Sequence, residues 1–218
     1  MKSGKAKLEK LKNNNENKDN NKNKDSCEKI SSISSKKTKE EITEVAWQEV
    51  TRQTAKKTMI KLAPPCRCRA CSTGCNYGGG ILEDADIQKI AEFLKISVDS
   101  LKSNFIDEIE KFNTKRWRTK FNDDGKGYGK CAFFKDNQCA IHQVKPLQCR
   151  IATGCKPHGQ DASIWFHLNY FVNENDPESI RQWAQYLKTH PTIPGGKLEE
   201  LVPDKDRLDK ILSYEILK

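Results

Sequence analysis

Eight of the nine cysteines of this 218-residue chain lie between positions 66 and 155, and whatever the chain folds into must accommodate them. Cys66, Cys68, Cys71 and Cys75 follow the spacing C-x-C-x2-C-x3-C, while Cys131, Cys139, Cys149 and Cys155 are spread more widely. Few apolar residues surround the first group, so ordinary core packing does not explain it. Thiolates this crowded repel one another and oxidise readily unless a cation or disulfides absorb them. Eight sulfurs make two four-coordinate sites, or one cluster with ligands to spare.

A disulfide framework needs an oxidising compartment, normally reached through a signal peptide. Residues 1–12 are lysine-rich and hold no apolar run. No stretch approaches the ~18 apolar residues of a membrane span. Residues 1–40 contain no arginine and six acids, unlike a mitochondrial presequence. The expectation is a cytoplasmic protein with reduced thiols and no membrane contact, in which the C-x-C and C-x2-C spacings serve a metal.

The net charge is +9, and residues 1–40 supply twelve lysines against six acids, which leaves +3 for the remainder. Residues 1–38, rich in Lys and Asn, read as a disordered tail. Such a tail can neutralise phosphates weakly without reading bases. Acids interrupt it, however, and it has no aromatics to stack, so a solvated tail is the plainer reading. Cys27, isolated there, reads as a bystander.

Residues 39–62 read as an N-terminal helix, with Ile42, Val45, Ala46 and Val50 on one stripe. The next span, 63–175, reads as the cysteine-cluster domain, and 176–218 as C-terminal helices packing on it. Within the cluster domain, Gly78, Gly79 and Gly80 read as bare backbone approaching a metal centre. Asp84 can cap a helix bearing Ile87, Ile90, Ala91 and Leu94, and Ser97 can start another bearing Val98, Leu101, Phe105 and Ile109. Residues 122–127 read as a loop. Residues 131–142 read as a hairpin; a turn at Asp136-Asn137 places Cys131 across from His142 with Cys139 on the opposite face, whereas one residue of bulge would bring both cysteines to the same side. Asp176-Pro177 opens a helix with Ile180, Trp183, Ala184 and Leu187, and a last helix starts near Asp204. The expected fold is mainly α with a small β-hairpin, around an irregular Cys-rich, metal-stabilised core covered by helices.

The segment C-x2-C-x3-C at Cys68–Cys75, Gly80 followed by Asp86-Ile87, and the run from Cys131 through Cys139 to Cys149-Arg150 together resemble the YkgJ-type cysteine-cluster family. That family is also called the CxxCxxCC domain, a zinc- or iron-chelating module. The resemblance covers about Cys66 to Cys155. Here Gly74 stands where the family knot has its third cysteine, Cys66 appears upstream, His142 replaces a tyrosine, and Lys145-Pro146 replaces Arg-Pro. Some relatives are linked to iron–sulfur-dependent lysine methylation of flagellin.

All eight grouped cysteines are candidate metal ligands. Arg150, which belongs to the family motif, is a candidate cofactor-binding residue. Arg67, Arg69, Lys130 and Lys156 could also face the negative centre. His142 and His158 are secondary candidate ligands. His167 reads as core within the aromatic run 165–171, and His190 as a helix end. In a zinc reading, closed sites of four cysteines each hold the fold together. In an iron reading, the thiolates carry a [4Fe-4S] or other iron–sulfur cluster. Irregular spacing argues against paired zinc ribbons and tips the expectation toward iron–sulfur, with zinc the alternative. The expected role is metal binding, with electron transfer or maturation as outlets. The alternatives are an iron–sulfur protein-modifying enzyme or a zinc protein that binds nucleic acid through its basic tail. Nothing in the sequence names a protein partner.

Overall fold

The computed structural model describes residues 49–217, apart from positions 64, 65, 67, 124, 153, 154 and 156. The Lys/Asn-rich tail, Cys27, Arg67, Lys156 and the first part of the expected N-terminal helix lie outside the described residues.

The first described helix, α1, spans Lys56–Leu62 rather than running through from residue 39. Residues 49–55 are turn and extended chain because their backbone groups are engaged elsewhere. The Arg52 N–H donates to Pro194 O at 2.8 Å, and Trp165 Nε1 donates to Thr54 O at 2.8 Å. Val50 still buries its side chain in the core, as its place on the apolar stripe required.

Beyond α1 come α2 (Arg69–Thr73), a 3₁₀ turn (Gly74–Asn76), β1 (Ile81–Leu82), α3 (Asp84–Leu94) and α4 (Val98–Phe105). Strands β2 (Ile106–Lys111), β3 (Thr114–Thr119), β4 (Phe121–Asp123), β5 (Gly129–Cys131), β6 (Phe134–Lys135) and β7 (Gln138–Cys139) follow. The chain ends with a 3₁₀ turn (His142–Val144), α5 (Leu147–Ile151), α6 (Gly159–Tyr170), α7 (Pro177–Leu187), α8 (Leu198–Leu201) and α9 (Lys205–Leu212).

Helix starts follow local chemistry. Glu83 rather than Asp84 is the N-cap of α3, in a capping box with Asp86. Ser97 caps α4 by accepting from Ser100 N, Asp176 caps α7 with Pro177 in its first turn, and Asp204 caps α9.

The strand content exceeds one hairpin. A three-stranded antiparallel sheet runs β1-β3-β2, and β4-β5 and β6-β7 are separate two-stranded ribbons. Helix α4 therefore stops at Phe105, and Ile109 lies on β2, paired with Arg116, not on a helix. Phe112 and Asn113 both take positive φ, as a two-residue hairpin turn requires. Tertiary contacts hold that turn: the Asn113 N–H donates to Gln182 Oε1 at 2.9 Å, and Phe112 lies edge-on to Trp183. The turn at Asp136-Asn137, also with positive φ at both residues, falls where expected. Its ribbon is short, pairing Phe134 with Cys139. Cys131 does not face His142; it pairs with Phe121 on the β4-β5 ribbon, and His142 sits in a 3₁₀ turn.

Two apolar cores flank β1. Side chains alternate across a strand, so Ile81 joins the core of α1, α5, α6, α7 and α9, and Leu82 joins the core of α3, α4 and Phe133. Helix α5 packs on β1. The Leu147 N–H at its start donates to the buried Asp86 Oδ2 at 3.2 Å, tying α5 to the first turn of α3. The cysteine-bearing segments hang on this junction.

Candidate metal centre

Three sulfurs of the first centre come from one short segment. Cys66 precedes α2, Cys68 is its N-cap, and Cys71 lies inside it. The N–H of Cys68 donates to Cys66 Sγ at 3.4 Å, which folds the two thiols toward each other. The fourth sulfur is Cys155, in the turn between α5 and α6, with its Sγ 3.2 Å from Cys71 Sγ. The ligand atoms of Cys66, Cys68, Cys71 and Cys155 all lie within 4.8 Å of one another. Cys66 and Cys71 are buried, and Cys68 and Cys155 half-buried.

Crowding shows in the proton affinities. Burial alone would raise Cys68, but the Cys71 N–H and the thiols of Cys66, Cys71 and Cys155 outweigh it and bring Cys68 down to about 6. Burial raises Cys71, with Cys155 pulling the other way. Such a centre holds one thiol, Cys68, poised to ionise beside another, Cys71, that resists it, which a soft cation resolves by taking all four as thiolates.

Cys75, Cys131, Cys139 and Cys149 gather more loosely. Among the described residues, only the Cys66 group draws its ligand atoms within 4.8 Å. The 3₁₀ turn carrying Cys75 packs on β5, which ends at Cys131. The Thr119 hydroxyl lies 3.4 Å from Cys131 Sγ and accepts the Gly80 N–H at 2.8 Å. On the other side of Gly80, a Cβ would lie 1.9 Å from Cys149 Sγ. The glycine thus serves close approach to sulfur, as its run suggested. Burial pushes the Cys139 thiol up to about 11, with the Cys75 and Cys131 charges adding to it. Burial also raises Cys149 and Cys75, each further raised by Cys131.

The structure thus regroups the sulfurs across the two sequence clusters. Cys155 joins the first cluster, and Cys75 sits with the second. Lys145, not among the cations expected to face the centre, is the positive charge that favours thiolate at Cys75, Cys139 and Cys149. The visible signal was its place at the Arg-Pro position of the family motif. Lys130 lies over the Phe134 ring at 5.5 Å, and Arg69 is exposed. Arg150, next to Cys149 on α5, has its Nε buried without a hydrogen-bond partner among the described residues, and so does His158 Nε2, three residues past Cys155. Two orphaned nitrogens beside ligand cysteines fit a site built to receive negative charge.

No histidine belongs to the four-sulfur group. His167 is half-buried against the Phe112 and Phe171 rings, its Nε2 3.2 Å from Lys111 Nζ, and His190 stacks on Tyr186.

The sequence that carries these sulfurs is similar to one known family. Residues 66–167 match the CxxCxxCC family model, described as "Putative zinc- or iron-chelating domain". The match begins at Cys66 and ends within α6, so the matched segment contains both sulfur groups and the β1 junction. No curated protein and no solved structure matches the chain. Among the described residues, no helix is long and apolar enough to cross a membrane.

Proposed function

We propose that the chain is a zinc-thiolate protein whose Cys66, Cys68, Cys71 and Cys155 form a closed tetrahedral site. The observation that carries this is the mutual spacing of the four sulfurs, all within 4.8 Å. Zn–S bonds of about 2.3 Å in a tetrahedron set sulfur–sulfur distances of about 3.8 Å, between the 3.2 Å of the Cys71–Cys155 pair and the 4.8 Å that bounds the whole set. A four-iron cluster must fit its irons and sulfides between the thiolates and so spreads them wider. The donor set itself, four sulfurs, suits zinc or iron and disfavours harder cations.

Four protein ligands leave no open position, so the site is structural. It fastens the segment between α1 and α2 to the turn after α5, and so joins two stretches 84 residues apart in sequence. Metal binding at such sites supplies on the order of 10 kcal/mol in zinc-finger peptides. The ion with four thiolates carries −2, and Arg150 Nε and His158 Nε2, each buried without a hydrogen-bond partner among the described residues, are the nearby-in-sequence nitrogens available to it. The reducing cytoplasm is the compartment that suits these thiols.

Anaerobic purification followed by metal and sulfide analysis tests this reading. Colourless protein carrying zinc, with loss of zinc on Cys66→Ser or Cys155→Ser, is expected. Broad absorption near ~400 nm with labile sulfide that the same substitutions abolish would refute the zinc assignment and restore the iron–sulfur one. The electron-transfer role and the iron–sulfur enzyme alternative would follow it back.

A further inference from the structure

We propose that Lys111 is a nucleophilic amine that captures a small aldehyde as a Schiff base, with His167 holding the imine nitrogen. The contacts of the Lys111 amine are with Phe112, His167 and Tyr186, not with a cysteine, so the site stands apart from the metal centre.

Lys111 ends β2, beside the Phe112-Asn113 turn that Gln182 and Trp183 pin onto α7. Its half-buried side chain places Nζ 3.2 Å from His167 Nε2, 5.1 Å from the centre of the Phe112 ring and 5.3 Å from that of Tyr186. The titratable groups around it are His167 from α6, Tyr186 from α7 and, just past α7, His190, which stacks on the Tyr186 ring. No carboxylate joins them. Glu110, the adjacent acid on β2, projects to the other face of the strand. Asp176 accepts from Asn113, and Glu178 is engaged with Arg181 and Gln182. Burial therefore holds the Lys111 amine below its ordinary 10.5 with nothing to oppose it. A desolvated lysine without a counter-ion is the kind that serves as a nucleophile.

The proton count at His167 points the same way. His167 Nδ1 is buried without a hydrogen-bond partner among the described residues. An ammonium at Lys111 would donate to Nε2 and force the imidazole proton onto Nδ1, a buried N–H with no acceptor. With a free amine, Nε2–H donates to the Nζ lone pair, and Nδ1 is left only an unused acceptor, the lesser defect. An imine suits this setting in both of its forms. Neutral, it keeps a lone pair that accepts from Nε2–H; protonated, it is a cation beside two aromatic rings. An amide from an acyl donor would have neither the lone pair nor the charge, which is why the ligand class is the aldehyde.

The step balances without a redox partner. The Nζ lone pair attacks the aldehyde carbon while Nε2–H lets go of it. One Nζ proton passes to the former carbonyl oxygen, giving a carbinolamine. The hydroxyl then leaves with the second Nζ proton as water, C=N forms, and Nε2–H rebinds at the imine nitrogen.

The full chain, incubated with propionaldehyde across about pH 6 to pH 10, quenched with borohydride and mapped by peptide mass spectrometry, tests this. Borohydride fixes imines as secondary amines and does not fix aldehyde adducts of thiols. Lys115, on the same hairpin, is the internal control, since Glu108 pairs with it at 2.9 Å and raises its proton affinity. Near neutral pH, early labelling of Lys111 is expected to exceed that of Lys115 by at least about tenfold, the effect of one unit of separation, and its pH midpoint to lie lower. His167→Phe removes the N–H donor and is expected to reduce the imine trapped at equilibrium by about fivefold. His167→Gln, which keeps an N–H, is expected to restore most of it. Lys111 labelled no faster than Lys115, or with no lower midpoint, overturns the nucleophile. Equal trapping in wild type and both His167 variants, or equal loss in the two variants, overturns the part given to His167. The wild-type pH profile decides on Lys111 even where a His167 variant fails to fold.

Discussion

Gly80→Ala isolates the contact between β1 and α5 on which Cys149 depends. The Gly80 backbone is not left-handed, so alanine meets no conformational objection there. Its Cβ, however, would stand 1.9 Å from Cys149 Sγ. Non-bonded heavy atoms settle at about 3.5 Å or beyond, so sulfur or backbone must yield by about 1.5 Å. Cys149 has little room to do so, because Leu147 and Ile151 beside it on α5 are 3% and 0% exposed. Overpacking of this kind costs about 1–3 kcal/mol, and the rigid surroundings place it near the top of that range. Alanine also restricts the unfolded chain, which returns about 0.5 kcal/mol. The net loss is about 2 kcal/mol, or a melting temperature lower by about 4–8 °C for a folded region of this size.

Thermal and urea unfolding of four proteins decide the matter: wild type, Gly80→Ala, Cys149→Ala and the double variant. Without the sulfur, the new Cβ meets only Gln148 Oε1 at 3.5 Å and Cys149 Cβ at 3.6 Å, both ordinary contacts. In the Cys149→Ala background, Gly80→Ala should therefore cost nothing, giving a coupling of about 2 kcal/mol. Gly78→Ala is the matched control, since a Cβ there meets nothing within 4 Å, and it should be neutral or slightly stabilising. A Gly80→Ala cost under about 0.5 kcal/mol, or an equal cost in both backgrounds, would refute the packing of Cys149 against Gly80.

Asp86→Ala should cost about 1–3 kcal/mol in chemical denaturation, because it leaves the N–H groups of Glu83 and Leu147 without their shared acceptor. Burial raises the Asp86 carboxyl above its ordinary 3.8, so the folded state holds this proton more tightly than the unfolded one. Its contribution to stability is full below 3.8 and falls as pH rises toward the raised value, and Asp86→Asn should flatten that slope. His167 has the opposite sign: burial, then the charges of Lys111 and His190, lower it from 6.5 to about 4. Stability should drop as pH falls from 6.5 to 4, by up to ~3 kcal/mol, and His167→Phe should remove that part of the acid sensitivity in a pH series of melting curves. Deleting residues 1–38 should leave zinc content unchanged by metal analysis, since no ligand of either sulfur group lies there.

Much of the helical frame was legible because its signals are local. Asp84, one residue past the true cap Glu83, and Ser97, Asp176-Pro177 and Asp204 mark starts that depend on side chains within one turn, and Ile87, Ile90, Ala91 and Leu94 then show which face is buried. The β2-β3 hairpin was not legible. Asp107, Glu108, Glu110, Lys115, Arg116 and Arg118 crowd it with charge, so alternation of apolar and polar residues barely shows. What holds it is remote: Arg116 Nε donates to Tyr170 O, the Thr114 hydroxyl to Phe171 O, and Phe112 packs on Trp183. Residues 49–55 failed for the same reason, their helical bonds displaced by contacts with Pro194 and Trp165.

Spacing singled out eight sulfurs but could not show which four draw together, because that grouping is a property of the β1 junction. Cys155 reaches Cys71 only if α5 is placed correctly, and three contacts far from Cys155 place it. Asp86 accepts the first N–H of α5, Gly80 admits Cys149 against bare backbone, and Ile81 buries beside Leu147 and Ile151. Gly80 and Asp86 belong to the resemblance and carry no sulfur, and both act on α5. An alanine at either should disturb the sulfurs without removing one. The motif is thus a packing instruction as much as a ligand set. The apolar cores on either side of β1 set the sulfurs within reach of an ion, and the ion then closes what those cores have already aligned.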